Sequence, residues 1–301
     1  MTAGEVGRPV TSAVPRVRAM ADTEALRERV ASFPRWHYEF DLGGVRTPIL
    51  DRAHVNRHAQ RRAYFFAPLT RLCGGSLAGK RVLDLGCNAG FWSLAAVEAG
   101  ADLVVGIDGR QMHIDQANLV FEAKGVDRAR YRFTQGDIFT AEPDDAPFDV
   151  VLCLGLLYHV SKPFELMERI ARWNDDLLVI DTALSTVGGG FFRLAAQDLD
   201  DSRAAIDRSL ALHPTSEAVN ALAGYYGYHC AMLRPRFSSW RGARRYRDGS
   251  RRAFICAKRT PLVGLETEPA SANVPAGIAF RQGVRRSLDA ARLWTGRGRS
   301  G

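Results

Sequence analysis

A glycine-bearing turn directly after a short apolar run is the most informative feature of the sequence. Residues 82–85 form the run, Gly86-Cys87-Asn88-Ala89-Gly90 form the turn, and a helical pattern begins at Phe91. Glycines let a backbone approach a ligand closely, and the first N–H groups of a helix have no partner within that helix. This order predicts a site for a nucleotide-like ligand. Its candidate residues are Asp84, Gly86, Asn88 and Gly90.

Three further segments would meet the same ligand. Asp108 ends the next apolar run, where its carboxylate can accept hydrogen bonds from both hydroxyls of a ribose. Asp137 follows the third run and can accept from an adenine amino group, while Ile138 covers the ring. The fourth segment is Leu154-Gly155-Leu156-Leu157-Tyr158-His159-Val160, with Leu154 and Tyr158 as candidate contacts. The Gly-x-x-x-Gly spacing differs from the Gly-x-Gly-x-x-Gly of dinucleotide binders and favours S-adenosylmethionine (SAM).

Two side chains could take part in a transfer reaction beside this ligand. An imidazole titrates near neutrality, so His159 at the end of the fourth strand can act as a general base, or it can cap the following helix. Asp181 ends the fifth strand and could orient His159, bind an acceptor hydroxyl or hold Mg²⁺. The metal role has the weaker basis, because no second carboxylate is adjacent in the sequence.

Other residues could bind an acceptor or have structural roles alone. Tyr225 and Tyr226 could stack on a sugar or a base, or pack between helix and sheet. His54 and His58 lie one helical turn apart and form either an acceptor site or a surface pair. Four arginines flank the last strand and would form either a phosphate site or a solvated rim: Arg244, Arg245, Arg251 and Arg252.

Apolar runs that alternate with helical patterns must position these residues. From Lys80 onward, strands are predicted at 81–85, 103–108, 131–133, 148–154, 177–180, 231–234 and 252–257, with helices at 91–99, 112–124, 163–173 and 216–226. Continuous apolar strands alternating with helices are typical of a parallel sheet that is covered on both faces. The fold class is therefore α/β, with a doubly wound, mostly parallel, seven-stranded Rossmann-like sheet.

The remaining segments organise the chain around that sheet. Residues 1–22 are polar and are predicted to be a mobile N-terminus, and residues 23–75 a cap made of a helix, a hairpin and a helix. The ligand-binding domain is predicted to span residues 76–260, with an insertion at 182–213 after the fifth strand. Residues 261–301 form a basic tail with one predicted helix over 285–293.

Composition narrows the cellular context. The 301 residues carry a net charge of +8, which suits an anionic partner or a solvated basic tail. No apolar run approaches the roughly 20 residues that span a bilayer, and the N-terminus lacks an apolar signal core. Five cysteines without a CxxC pair are predicted to be unpaired core residues, typical of a reducing compartment. We therefore expect a cytoplasmic protein that does not contact membranes; a homo-oligomer is compatible with the sequence.

The four ligand-binding segments, in this order over residues 82–160, resemble the class I SAM-dependent methyltransferases. The resemblance implies an enzyme that takes a methyl group from SAM. It also implies that Asp84, Gly86 and Gly90 frame the methionine end of SAM. Asp108 would bind the ribose and Asp137 the adenine.

A narrower resemblance involves Trp-His-Tyr-Glu-Phe-Asp-Leu-Gly-Gly-Val-Arg-Thr-Pro at 36–48 and Gly-Leu-Leu-Tyr-His at 155–159. Both are similar to the tRNA wobble-uridine carboxymethyltransferase family and its relatives in saccharide and secondary-metabolite pathways. That family places the tyrosine of the second motif, here Tyr158, beside the donor. The Trp- and Lys-rich segment of the tRNA enzymes is absent from this sequence. In its place, residues 53–69 contain His54, Arg57, His58, Arg61 and Arg62.

The sequence therefore favours an O-methyltransferase acting on a small-molecule hydroxyl, on a saccharide or a secondary metabolite, with His159 as general base. The first alternative is a tRNA wobble-uridine methyl- or carboxymethyltransferase. The second is a non-catalytic SAM-binding regulatory protein.

Overall fold

Parallel strands alternating with helices form the body of the protein in a computed structural model, which describes residues 14–49, 51–197 and 210–269. The predicted mobile segment over 1–13 and the predicted tail helix over 285–293 lie outside these residues. The predictions for them therefore remain predictions.

Seven strands form the main sheet, in the spatial order β3-β2-β1-β4-β5-β9-β8. The first five strands pair in parallel, while β9 is antiparallel to both β5 and β8. The doubly wound α/β class is thus confirmed. The strands are β1 Arg81–Leu85, β2 Leu103–Asp108, β3 Tyr131–Gln135, β4 Phe148–Leu154, β5 Asn174–Ala183, β6 Phe192–Ala195, β7 Ala211–Pro214, β8 His229–Met232 and β9 Arg251–Ala257.

Two apolar layers cover the faces of this sheet. Alternating side chains of β1 enter different layers, with Val82 on one side and Leu83 and Leu85 on the other. The N-terminal cap, α4 and α5 cover the first face, and α6 and α7 cover the second. The helices are α1 Val14–Ala31, α2 Arg52–Arg61, α3 Ala67–Leu72, α4 Phe91–Glu98, α5 Gln111–Ala123, α6 Pro163–Trp173, α7 Ser216–Tyr225 and α8 Arg244–Arg247. Because parallel strands end together, the ligand-binding segments meet at one edge of the sheet.

The N-terminal cap differs from its prediction in two respects. Helix α1 begins at Val14 instead of residue 23, so it extends into the segment predicted to be mobile. The predicted hairpin is a tight turn with a single bridge, Asp41 to Arg46. A π-helical stretch, Arg62–Phe66, joins α2 to α3 and turns Tyr64, Phe65 and Phe66 into the core. Within the described residues, no helix is both long and apolar enough to cross a membrane.

The insertion after β5 contributes a small antiparallel ribbon of β6 and β7. This ribbon lies beside the one-turn 3₁₀ helix Leu157–His159, because the His213 ring on β7 is 5.7 Å from the Tyr158 ring. Residues 198–209, between the two strands, lie outside the described residues. The insertion therefore reaches the strand end at which the candidate base lies.

One cysteine prediction is wrong. Cys230 and Cys256 are directly opposed on β8 and β9 and form a disulfide. The two cysteines meet because of the register between two strands that a long connection separates. Sequence spacing does not reveal such a register, so it gave no sign of this pair. The other three, Cys73, Cys87 and Cys153, are free. The pairing removes the cysteine argument for a reducing compartment.

Candidate active site

A cavity of about 960 Å³ opens at the carboxyl ends of β1, β2 and β4. Its wall has two parts. The glycine-turn half consists of Gly86, Asn88, Asp108, Asp137, Ile138 and Leu154. The arginine half consists of Arg57, Arg61, Arg244, Arg245, Tyr246 and Arg251, with Tyr158 and His159 also lining the cavity.

Asp108 fixes the turn after β1. Its Oδ2 accepts a hydrogen bond from the backbone N–H of Asn88 at 3.0 Å, which holds Asn88 at a positive φ of 50°. Its Oδ1 accepts from the backbone N–H of Arg110 at 3.0 Å and from Nδ1 of His113 at 2.9 Å. Burial opposes the charged form, but these donors outweigh burial and hold the pKa of Asp108 below its ordinary value. Asp108 is therefore a carboxylate held in place before any ligand arrives.

These contacts limit what Asp108 can still accept. A carboxylate offers about four lone-pair sites, and three are already used, which leaves about one for a ribose hydroxyl. His113, which the sequence analysis did not single out, supplies one of the three and also lies 3.2 Å from the Asn88 amide through Nε2. Its signal in the sequence was weak, a histidine five residues after the strand-end aspartate.

Asp84 and Gly90 lie behind the turn, and neither is among the described residues that line the cavity. Asp84 is 1% exposed and accepts a hydrogen bond from the Ser93 hydroxyl at 2.7 Å. Burial raises the pKa of Asp84 to about 7. Gly90 has a φ of +75°, and a Cβ there would lie 3.2 Å from Phe121. Both residues therefore support the turn by packing.

The apolar part of the glycine-turn half suits an adenine ring. Ile138 is 8% exposed and lines the cavity together with Leu154. Asp137 also lines it, and its Oδ1 caps the local turn by accepting from the Phe139 backbone N–H at 2.9 Å. Its second oxygen can accept from an exocyclic amine. The wall thus offers an apolar slot for a base, a carboxylate at its edge to accept from an amine, and the buried Asp108 to accept from a ribose hydroxyl.

His159 lies between the two halves. Its Nδ1 is 2.6 Å from Oε1 of Gln197. An amide oxygen only accepts, so Nδ1 carries the proton and Nε2 carries the lone pair. The Tyr158 ring lies 4.0 Å from the imidazole ring, and both side chains line the cavity. The ring is thus oriented by a residue of the insertion, which the sequence did not indicate.

Asp181 has a role different from each of those predicted. It is fully buried and forms ion pairs with Arg61 at 2.5 Å and Arg251 at 2.8 Å. The Tyr246 hydroxyl also donates to it at 2.6 Å. Burial opposes its ionisation, but the two guanidinium groups hold its pKa below the ordinary value. Its partners are arginines and a tyrosine rather than His159.

The same geometry does not support the predicted Mg²⁺ role of Asp181. Two guanidinium groups within ion-pair distance would repel a divalent cation. Among the described residues, no group of three or more His, Cys, Asp or Glu side chains could hold a metal ion.

The four residues predicted to bind acceptor do not line the cavity in the described part of the chain. Tyr225 is 82% exposed, and the Tyr226 hydroxyl donates to the backbone carbonyl of Phe164. His58 is 3% exposed, so the alternative of a surface histidine pair is also wrong. Its ring lies 4.4 Å from the Tyr38 ring and 6.3 Å from the ring of His54. The helical spacing of His54 and His58 was correct, but it points His58 into the cap.

The fit of SAM to this site rests on the glycine-turn half. Ligand pockets usually measure about 300–1,000 Å³, so the cavity has room for a nucleoside and a second small molecule. The nucleoside would lie against Asp108, Asp137 and Ile138, and its methyl-bearing end would face Tyr158 and His159. The residues present therefore fit SAM.

The family comparison agrees with this geometry. Residues 82–175 match the model of a methyltransferase domain. The tRNA U34 carboxymethyltransferase of Aeromonas salmonicida (strain A449) is 34% identical over 116 residues, which cover 38% of this chain and 34% of that relative. The enzyme of the same name from Serratia proteamaculans (strain 568) is 36% identical over 108 residues, covering 35% and 33%. The chain thus spans about a third of the length of the curated relatives it matches.

Solved structures show the same fold at lower identity. The N-terminal domain of EvdMO1, crystallised in the presence of SAH and D-fucose, superposes with a TM-score of 0.60 at 20% identity and covers 80% of this chain and 97% of that one. A putative SAM-dependent methyltransferase from Listeria monocytogenes has a TM-score of 0.51 at 15% identity and covers 67% and 99%. Residues 82–175 thus match the model of a methyltransferase domain, and the sheet that contains them has the fold of these solved structures.

Proposed function

We propose that this protein transfers the methyl group of SAM to a hydroxyl of a small molecule, a saccharide or a secondary metabolite. The observation that carries the proposal is that His159 lines the same cavity as the glycine-turn half and the arginine half. A donor in the first half and an acceptor in the second would meet at this residue.

SAM supplies a methyl group on a positively charged sulfur, which a nucleophile can displace in line. The protein's part is to align the nucleophile and to accept its proton. Nε2 of His159 takes the proton of the acceptor hydroxyl as the O–C bond forms and the S–C bond breaks. Gln197 accepts from Nδ1 at 2.6 Å, which leaves Nε2 as the ring nitrogen that takes the proton. The same contact stabilises the imidazolium cation that forms.

The test measures donor binding and turnover separately. Calorimetric titration with S-adenosylhomocysteine (SAH) should show binding at micromolar affinity, and labelled SAM should methylate members of a panel of hydroxyl acceptors. His159→Gln should lower kcat roughly 10²–10⁴-fold and leave SAH affinity within about twofold. His229→Gln is the matched control, because that histidine is exposed and lies on β8.

Failure of SAH to bind would overturn the proposal altogether. Full turnover by His159→Gln would remove only the role of the base. Binding of SAH without turnover on any acceptor would favour the non-catalytic SAM-binding alternative.

A second candidate is modification of a tRNA wobble uridine. It is favoured by the two tRNA U34 carboxymethyltransferases, at 34% and 36% identity, and by the net charge of +8. Binding to tRNA should weaken steeply with salt, because each phosphate contact releases counterions. A tRNA transcript whose affinity falls roughly 10³-fold between 50 and 200 mM salt, and which accepts label at the wobble position, would replace the small-molecule proposal.

A further inference from the structure

We propose that Arg57 binds an anionic group of the methyl acceptor, a carboxylate, phosphate or sulfate. The inference rests on the proposed function and names the substrate class of the same cavity. Its starting point is a guanidinium that the described part of the chain does not neutralise.

Arg57 lies on α2 and lines the arginine half of the cavity. Its Nε is buried and has no hydrogen-bond partner in the described residues. Buried cations are ordinarily paired, because removing a charge from water costs several kcal/mol. The buried arginine one turn further along this helix follows the rule, since Arg61 pairs with Asp181. Arg57 is the exception on this helix and its continuation.

The charges beside Arg57 make the imbalance larger. Arg61 and Arg251 share the carboxylate of Asp181, so that anion is already paired with two other guanidinium groups. Burial, followed by repulsion from Arg61 and Arg251, lowers the pKa of Arg57 to about 10. It still carries its charge at neutral pH. One further anion at this position would balance the cluster and satisfy Nε.

Position favours the acceptor over the donor as the source of this anion. The Arg251 guanidinium lies 5.7 Å from the centre of the Tyr158 ring, next to His159. The groups whose charges act on Arg57 are Arg61, Arg251, Tyr246 and Tyr38. None of them belongs to the glycine-turn half. An acid group held at Arg57 would therefore anchor a molecule whose hydroxyl reaches His159.

The arginine half also favours a small acid over a nucleic acid. A phosphodiester backbone binds basic side chains that are exposed along a surface, whereas Nε of Arg57 is buried in the cavity wall. A monoanionic or dianionic group at the end of a small molecule can reach it. Acidic saccharides, sugar phosphates and carboxylated secondary metabolites have this chemistry.

The test titrates the SAH-saturated full-length protein with inorganic phosphate, sulfate and acetate in separate arms. At least one anion should bind the wild type, and Arg57→Gln should weaken that binding roughly 10–100-fold, the usual size of a charge-assisted hydrogen bond. Arg57→Lys should retain most of it. Arg62→Gln, five residues further along and paired on the surface, should bind anions as the wild type does. The preferred anion identifies the acid group of the acceptor. Acceptors with that group should be methylated, and their KM in Arg57→Gln should rise by the same factor as the loss of anion affinity.

Stability and donor affinity distinguish an acceptor anchor from a structural arginine or a donor contact. Arg57→Gln should melt at or above the wild-type temperature without added anion, because it removes an uncompensated charge. Arg57 would instead be a structural arginine if Arg57→Gln melted at a lower temperature than the wild type, Arg57→Lys restored that temperature, and the wild type bound no anion. A roughly tenfold loss of SAH affinity would assign Arg57 to the carboxylate of the donor. Either result overturns the proposal, as does anion binding that Arg57→Gln leaves intact. None of these results resembles failure of the proposed function, in which the wild type would not bind SAH.

Discussion

The two halves of the cavity handle charge in opposite ways. In the glycine-turn half, Asp108 already accepts three hydrogen bonds from its own neighbours. In the arginine half, Arg61 and Arg251 share the carboxylate of Asp181, and the buried Nε of Arg57 has no hydrogen-bond partner among the described residues. The carboxylate of the first half is therefore held in place by residues of the protein itself. The second half retains positive charge that the described residues do not balance, which suits the acidic acceptor proposed above.

The largest expected effect follows from removing the charge of Asp181, the carboxylate that Arg61 and Arg251 share. Asp181→Asn should lower the free energy of unfolding by about 3–5 kcal/mol, because it leaves buried cations unpaired. Denaturant titration measures the loss. Asp175→Asn breaks only an exposed pair with Arg259 and should cost at most about 1 kcal/mol. Equal losses in the two variants would contradict the view that charge is concentrated in the arginine half.

A backbone substitution should damage the arginine half alone. Gly242 has a φ of +72°, and a Cβ there would lie 2.2 Å from the carbonyl oxygen of Ala53. Gly242→Ala should therefore cost more than the roughly 1–3 kcal/mol of left-handed backbone strain alone and displace the start of α8, which carries Arg244 and Arg245. Anion binding should weaken while SAH affinity stays unchanged, as calorimetry can show. Gly264→Ala is the control. Gly264 has a similar φ of +69°, but no atom lies within 4 Å of a Cβ added there, so this variant has the backbone strain without the clash.

The reciprocal substitution should damage the glycine-turn half alone. Asp108→Asn removes the charge that holds the turn at Asn88 and the candidate ribose contact. SAH affinity should fall roughly 10–100-fold, the scale of a hydrogen bond to a charged group, with anion binding unchanged. Asp102→Asn is the control, because Asp102 accepts only from the Gly79 backbone N–H away from the cavity. Loss of both affinities in Asp108→Asn would show that the halves are coupled.

The smallest effect on ligand binding is expected at Asp84, which lies behind both halves. Its pKa is about 7 in the folded protein, above about 3.9 in an unfolded chain, so the folded state binds more protons between these values. The free energy of unfolding contributed by Asp84 therefore falls as pH rises from about 4 to about 7. Asp84→Asn lacks this titration. Its melting temperature should therefore rise relative to that of the wild type as the pH increases from about 4 to about 7. A difference in melting temperature between the two proteins that stays the same at every pH would contradict the raised pKa of Asp84.

The sequence was most informative where function depends on residues close together along the chain. The turn at Gly86 to Gly90, the strand-end carboxylates Asp108 and Asp137, and the Tyr158-His159 pair follow predicted strands directly. Parallel strands that end together must bring such residues to one edge, so the fold class and the donor wall could be predicted. Helical or aromatic spacing alone was a poor guide to which residues line the cavity, since Tyr225 is exposed and His58 is buried within the cap.

The sequence by itself determined the order of strands and helices, because periodic apolar runs decide which segments become buried. It also determined the residue types at the strand ends. Only the tertiary structure decided which side chains pair: Asp181 with Arg61 and Arg251, Cys230 with Cys256, and Gln197 with His159. Each pair joins segments that are far apart in the chain. Such contacts depend on strand register and on how the cap and the insertion close over the sheet, and no local pattern encodes either.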